Sequence, residues 1–374
     1  MQHSKVVGGS TAKRVIACPG SVALVNKMPP QPSSKYADEG TLLHNVIADV
    51  LDKFLPAQSF IGMKYQDIEL TQELIDGKLL PALAALDEID PTQEMEFAVE
   101  TRVGFGDFLP DVFGSTDLLG RIGSKALVID WKFGDGVLVT AEENPQLLFY
   151  AAAAMRTPEV QWVFDGATEI ECVIVQPTKG VSRWVTTPER VKAFEHELAM
   201  AVREAQKPDA NLTAGDHCRW CAAKPICPKM TGAVDRALKT SLQDLDAAQI
   251  SAYLKNADIL EGWITDLRAL AFQMLEKGVK LPEHKLVAKR AVRRWTNEDA
   301  AAAALSEHLL EEYIYDRVLI SPAKAEKMLK NLGQPLPDCV VSTSSGSTLA
   351  HVSDARPEVL QIGQQLTAAL SKLI

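Results

Sequence analysis

In the stretch "ALVIDWKFG" an acid and an amine, Asp130 and Lys132, stand two residues apart in an otherwise apolar run. The strand period of two puts Ala126, Val128, Asp130 and Lys132 on one face and Leu127, Ile129, Trp131 and Phe133 on the other. Taken alone, a D-x-K of this kind is far more often an exposed salt-bridging edge than a site. Just upstream, however, "GSTD" offers Asp117 on the preceding strand of what the short "GRIGSK" connection predicts to be a hairpin. Two carboxylates then face one point. Converging oxygen donors of this kind suit Mg2+ or Mn2+.

Three further side chains fall into order around that pair. His44 is a polar residue among the apolar ones of the helical stretch "TLLHNVIADVLDKFL", and Gln146 and Tyr150 in "QLLFY" stand at i and i+4, one above the other on a helix. Each is weak by itself, since a lone histidine on such a helix is usually a surface or satisfied core residue. A second concentration of reactive groups is "HCRWCAAKPICPKM", residues 217 to 230, with Cys218, Cys221 and Cys227 at C-x2-C-x5-C. Three thiolates do not complete a tetrahedral site. A zinc knuckle with His217 as fourth ligand is one reading, but adjacent residues rarely both reach one ion and no H-x3-H pair follows. Of the other cysteines, Cys172 falls in a strand pattern and reads as a small buried hydrophobe, while Cys339 lies far off in the C-terminal region. Cys18 in "VIACPGS", about 200 residues upstream, is left as the partner.

The elements that must position these groups are legible from periodicity. Leu43, Ile47, Val50 and Leu51 give the helix carrying His44 one apolar face, and "LTQELIDGKLLPALAALDEI" reads as a broken helical pair. Strands are predicted at "EFAVETRV", "VFGSTDLLGRIG", "KALVIDWKFGDG", "TEIECVIVQPT" and "VSRWVTT", with the alanine-rich helix "NPQLLFYAAAAM" between the third and fourth. Thr187 and Pro188 open another helix that leads into the cysteines. These predict an α/β fold, a central mixed β-sheet flanked by helices over residues 1–235, followed by a mainly helical C-terminal region over 236–374. No internal repeat is visible. A chain of 374 residues with 47% apolar and 24% charged content can bury a full core. Six cysteines are too few for a disulfide scaffold, and no run is long and apolar enough to span a bilayer or to form the centre of a signal peptide. The cytoplasm is the expected location, with no membrane partner. A formal charge of −10 argues against coating nucleic acid by bulk electrostatics but leaves room for an enzyme whose carboxylates hold metals.

The order of a histidine on an N-terminal helix, G-x2-D, D-x-K about a dozen residues later and Q-x3-Y on the next helix resembles the RecB-type nucleases of the PD-(D/E)xK superfamily, over roughly residues 10 to 230. The "PD" aspartate corresponds here to Asp117. The resemblance implies a restriction-endonuclease-like core and metal-dependent phosphodiesterase activity on DNA. In that reaction Asp117 and Asp130 would hold the ions, with the Trp131 carbonyl as a backbone ligand and His44 as a nitrogen ligand that favours Mn2+ over Mg2+ somewhat. Lys132 would orient the attacking water or offset phosphorane charge. Gln146 and Tyr150 would contact DNA or brace the site, and Glu39 is a weak further candidate. A lone N-terminal cysteine followed by these motifs and then three cysteines is similar to the iron-sulfur members of the family, which implies a [4Fe-4S] cluster on Cys18, Cys218, Cys221 and Cys227. Such a cluster would act as a clasp on the two ends of the nuclease domain.

"KLVAKRAVRRW" carries Lys285, Lys289, Arg290, Arg293 and Arg294, ending in Trp295. It reads equally as a solvated face or as a surface tracking the DNA backbone with Trp295 for stacking, to which Lys13 and Arg14 could add. The whole pattern resembles nuclease-like proteins of bacteriophages and prophages, so a role in phage DNA processing or recombination, in the host cytoplasm and with a recombination or single-strand-binding partner, is the implied setting. The leading expectation is a DNA exonuclease. An endonuclease of the same fold and a non-catalytic DNA-binding or assembly module are the alternatives.

Overall fold

The computed structural model describes residues 4–30, 33–232, 246–282 and 284–285, which fall within one compact unit, Met1–Val287. In chain order its elements are α1 (Ala12–Ala17), α2 (Ser21–Val25), α3 (Lys35–Lys53), the short strands β1 (Lys64–Tyr65) and β2 (Ile68–Glu69), and α4 (Leu80–Ile89). Then come β3 (Glu96–Gly104), β4 (Phe113–Ile122), β5 (Lys125–Trp131), α5 (Pro145–Ala154), β6 (Glu169–Gln176), β7 (Gly180–Thr186), α6 (Pro188–Ala205) and α7 (Ala247–Glu276). Strands β3 to β7 form a five-stranded sheet in sequence order. Neighbours pair antiparallel except β5 and β6, which run parallel because α5 carries the chain across between them. The predicted mixed sheet flanked by helices is the observed fold. No helix among the described residues is long and apolar enough to cross a membrane.

The two faces of β5 divide the core as the period of two requires. Ala126 and Val128 pack with α1, α5 and α6 on one face. Leu127, Ile129, Trp131 and Phe133 pack with α3 and α4 on the other. The sheet is thus buried on both sides, which is why β6 reads as a continuous apolar run, with Ile170 to Gln176 all buried. The β4–β5 hairpin closes through Gly123 and Ser124, with Ile122 paired to Lys125 and Gly123 at φ 56, a left-handed conformation that favours glycine.

Helix α3 begins earlier than its apolar spacing alone predicts. Ser34 caps it, its Oγ accepting from Ala37 N at 3.2 Å, so the polar stretch "KYADEG" is already helical. Its buried residues are Leu42, Leu43, Val46, Ile47 and Val50, each contributing roughly 2 kcal/mol by burial. The predicted break ahead of α4 is a π-helical turn, Ile75–Leu79, continuous with α4. Asn144 caps α5 by accepting from Gln146 N at 2.9 Å, and Thr187 caps α6. Residues Leu147 to Ala154 of α5 are all buried, since this helix lies between the sheet and α6.

Candidate functional site

The sheet register aligns the acidic residues. Val99 pairs with Leu118 and Thr101 with Thr116, so Glu100 of β3 stands opposite Asp117 of β4. Leu118 pairs with Ile129, so one step further Asp117 stands opposite Asp130 of β5. Three carboxylates therefore form a cross-strand row, an arrangement that like charges oppose unless a cation joins them. Glu100 itself holds φ 44, a strained conformation for a non-glycine residue inside a strand.

Helices from opposite faces of the sheet complete the site. From α3, His44 Nδ1 lies 3.4 Å from Asp117 Oδ2 and 4.0 Å from Glu100 Oε1. Among the described residues, His44, Glu100 and Asp117 form the group whose donor atoms all lie within 4.8 Å of one another. Asp117 is held in turn by the Trp131 N–H, which donates to its Oδ2 at 2.7 Å, while the indole of Trp131 is buried in the core. From α5, Gln146 braces the other half. Its Nε2 donates to Asp130 Oδ1 at 3.0 Å, and its Oε1 accepts from Lys132 Nζ at 3.1 Å. Gln146 Nε2 also lies 3.0 Å from Tyr150 Oη. Lys132 Nζ also forms an ion pair with Asp130 Oδ2 at 2.5 Å. Asp130 thus stands beside the tight His44–Glu100–Asp117 group, turned to Lys132 and Gln146.

All of these side chains except Trp131 line one cavity of about 960 Å³. Its wall also includes the Gly8–Gly9–Ser10–Thr11 segment and Arg102. Gly9 is required there, because a Cβ would fall 2.5 Å from the ring of Tyr150. The Arg102 guanidinium is stacked 4.1 Å from the centre of the Phe113 ring. No carboxylate pairs with it among the described residues.

The electrostatics follow from burial and from the mutual closeness of the carboxylates and the imidazole. Burial pushes the Asp130 carboxyl up to about 6, with Lys132 opposing and Asp117 adding to the rise. Burial and then Asp117 push Glu100 up to about 7, against His44. Desolvation lowers the His44 imidazole, but Asp117, Asp130 and Glu100 together outweigh it and hold it above its usual value. The Tyr150 hydroxyl is raised by burial and by Asp130 and Asp117, and so stays a donor. The His44–Glu100–Asp117 donor set, one imidazole and two carboxylates, fits a divalent cation such as Mn2+ or Mg2+.

A pH dependence follows. The folded state keeps protons on Asp130 and Glu100 up to about pH 6 and 7, whereas the unfolded chain releases them near about pH 4. The folded state binds more protons through this window, so with the metal chelated, stability falls as pH rises from about 4 to 7. His44, raised as well, acts in the same direction. Urea unfolding at pH 5 and pH 8 in chelator should show the lower midpoint at pH 8, and Mn2+ should shrink the difference.

The four cysteines come together far from their sequence order. Cys18, Cys218, Cys221 and Cys227 line one small cavity with Thr213, His217 and Lys224. Cys18 Sγ accepts from Thr213 N at 3.3 Å. His217 Nε2 is 2.8 Å from the Thr213 carbonyl, so this ring is already engaged. Burial raises the thiols of Cys218 and Cys221, and burial lowers the Arg14 guanidinium beside Cys221 and Cys18. The four sulfurs do not form a group within 4.8 Å of one another, whereas the ligands of one tetrahedral zinc stand about 3.8 Å apart. The enclosed space is about 10 Å³, room for about one water, so a larger group requires the thiols to spread. Cys172 is fully buried in β6, and burial pushes its thiol up to about 12, as a core cysteine requires.

Lys285 is exposed. Lys289, Arg290, Arg293, Arg294 and Trp295 lie outside the described residues. Lys13 is exposed and Arg14 is half-buried, donating to Ser21 Oγ. Glu39 does not line the cavity; it pairs with Lys78 at 2.7 Å. Glu100 and Arg102 are the residues the sequence patterns missed. Both lie on the strand preceding "GSTD", where nothing local marks either one as part of a site.

A mixed sheet with helices on both faces and an acidic cleft lined from β3, β4 and β5 defines the class. The chain belongs to the family described as protein of unknown function (DUF2800), whose model matches residues 3–357. It is similar to two solved structures. One is described as SSO0001, at 13% identity and a TM-score of 0.24, covering 58% of this chain and 96% of that one. The other is LHK-Exo in complex with dAMP, at 12% identity and a TM-score of 0.23, covering 46% of this chain and 93% of that one.

Proposed function

We propose that this protein is a divalent-metal-dependent deoxyribonuclease that works from DNA ends. The observation that carries the reading is the convergence of His44, Glu100 and Asp117 with the Asp130–Lys132–Gln146 set in one cavity. A divalent cation bound there would lower the pKa of an attacking water and neutralise charge on the phosphate. His44, Glu100, Asp117 and Asp130 would hold it, with the Trp131 carbonyl as a further donor. Lys132, oriented by Gln146 and Asp130, would offset charge developing on the phosphorane. Arg102, fixed on the Phe113 ring, would take a neighbouring phosphate. Tyr150, kept protonated, would donate toward the scissile group or hold Gln146 in place.

The four cysteines are proposed to hold a [4Fe-4S] cluster with a structural role. Support comes from their convergence across about 200 residues of sequence and from a His217 ring already engaged with backbone. A cubane distributes its thiolates over separate irons, so its sulfurs stand farther apart than those around one zinc ion. Lys285 and the basic residues that follow it are proposed to contact the DNA backbone.

The purified protein with Mn2+ or Mg2+ is expected to degrade linear DNA and to leave covalently closed circles intact. Cutting of closed circles would make it an endonuclease instead. No cleavage of any DNA with either metal, together with intact DNA binding, would leave the non-catalytic module as the reading.

A further inference from the structure

We propose that Lys78 is a positioning residue for the metal site, setting where the His44 imidazole stands relative to Asp117 and Glu100. The inference rests on reading the cleft as a metal site. Lys78 lies in the π-helical turn Ile75–Leu79, outside the cavity wall, and no sequence motif points to it. π-Helical turns recur at functional sites because they re-aim the side chains that follow.

Its Nζ donates to Glu39 Oε1 at 2.7 Å, to the Phe133 carbonyl at 2.8 Å and to Asp135 Oδ2 at 3.2 Å. An ammonium has three donors, so every one is used. The acceptors belong to two other stretches of chain, and both lead to His44. Glu39 lies five residues before His44 on α3. Phe133 follows Lys132 directly, and its ring meets the His44 ring edge-on, with centroids 5.2 Å apart and an interplanar angle of 85°. Lys78 therefore ties the helix that carries His44 to the strand end that carries Asp130 and Lys132.

The side chain of Lys78 is only 13% exposed. Glu39 is 27% exposed and Asp135 59%, so water can solvate these acceptors one by one but cannot bridge them, and loss of the ammonium unties α3 from the post-strand segment. A displacement of His44 from Asp117, now 3.4 Å away, would change the donor set seen by a cation. Metals that favour imidazole nitrogen would feel it most, Mn2+ more than Mg2+.

The test is Mn2+ binding to the full chain, measured by calorimetry or electron paramagnetic resonance, for wild type, Lys78→Met, His44→Ala and the double variant. Lys78→Met is expected to weaken Mn2+ binding by about tenfold, the scale typical of groups that orient ligands. Mg2+ binding should weaken less. The double variant should bind no more weakly than His44→Ala alone, because Lys78 acts through the imidazole. Unchanged Mn2+ affinity in Lys78→Met, or losses that add in the double variant, would overturn the proposal. Should Lys78→Met fail to fold, Glu39→Gln removes one charged acceptor while leaving the others, and must weaken Mn2+ binding in the same direction for the proposal to stand. Absence of Mn2+ binding by wild type, or equal binding by His44→Ala, would instead remove the metal-site reading itself.

Discussion

Asp130→Asn is expected to lower kcat/KM on linear DNA by at least about a thousand-fold, roughly 4 kcal/mol of transition-state stabilisation, while leaving the metal-free protein as stable as wild type or more so. The two effects separate because they have different origins. Asp130 is 1% exposed, its carboxyl is raised by burial, and it stands opposite Asp117. A neutral isostere therefore removes repulsion from the apo state even as it removes a metal ligand. Lys132→Met should cost comparable activity but also destabilise, since it strips the cation from a buried carboxylate 2.5 Å away. Combining the two changes should recover the stability lost by Lys132→Met without recovering activity. Steady-state kinetics alongside urea unfolding checks both halves. Activity within tenfold of wild type in Asp130→Asn would remove it from the site.

Cys18→Ser is expected to lose the brown colour and broad absorbance near about 400 nm of an iron-sulfur protein prepared without oxygen, and to unfold the domain at moderate temperature. Cys18 leads into α2, and its three partners lie beyond α6. A cluster across them closes a loop of about 200 residues, whose closure entropy is on the order of 5 kcal/mol. Cys172→Ala is the control, since that thiol lies in the core away from the others and should leave the colour unchanged. Metal analysis completes the test. A colourless wild-type protein with one zinc per chain would put zinc in place of the cluster.

The sequence by itself determined the order of strands and helices and the faces of β5, because alternation and capping are local. The Asp130–Lys132 pair, the Gly123–Ser124 hairpin and the Thr187 cap all follow from residues a few positions apart. The start of α3 was less legible, since the Ser34 cap precedes the apolar spacing by two turns of polar residues. Glu100 was invisible as a ligand because its role depends on its being opposite Asp117, a matter of register between strands, and on a backbone conformation no local pattern announces. Lys78 was invisible for the same kind of reason, as its three acceptors lie 39, 55 and 57 residues away. Only the tertiary structure decided that α3 and α5, packed on opposite faces of the sheet, deliver His44 and Gln146 to one cleft. Such convergence is set by long-range packing, which spacing along the chain does not encode.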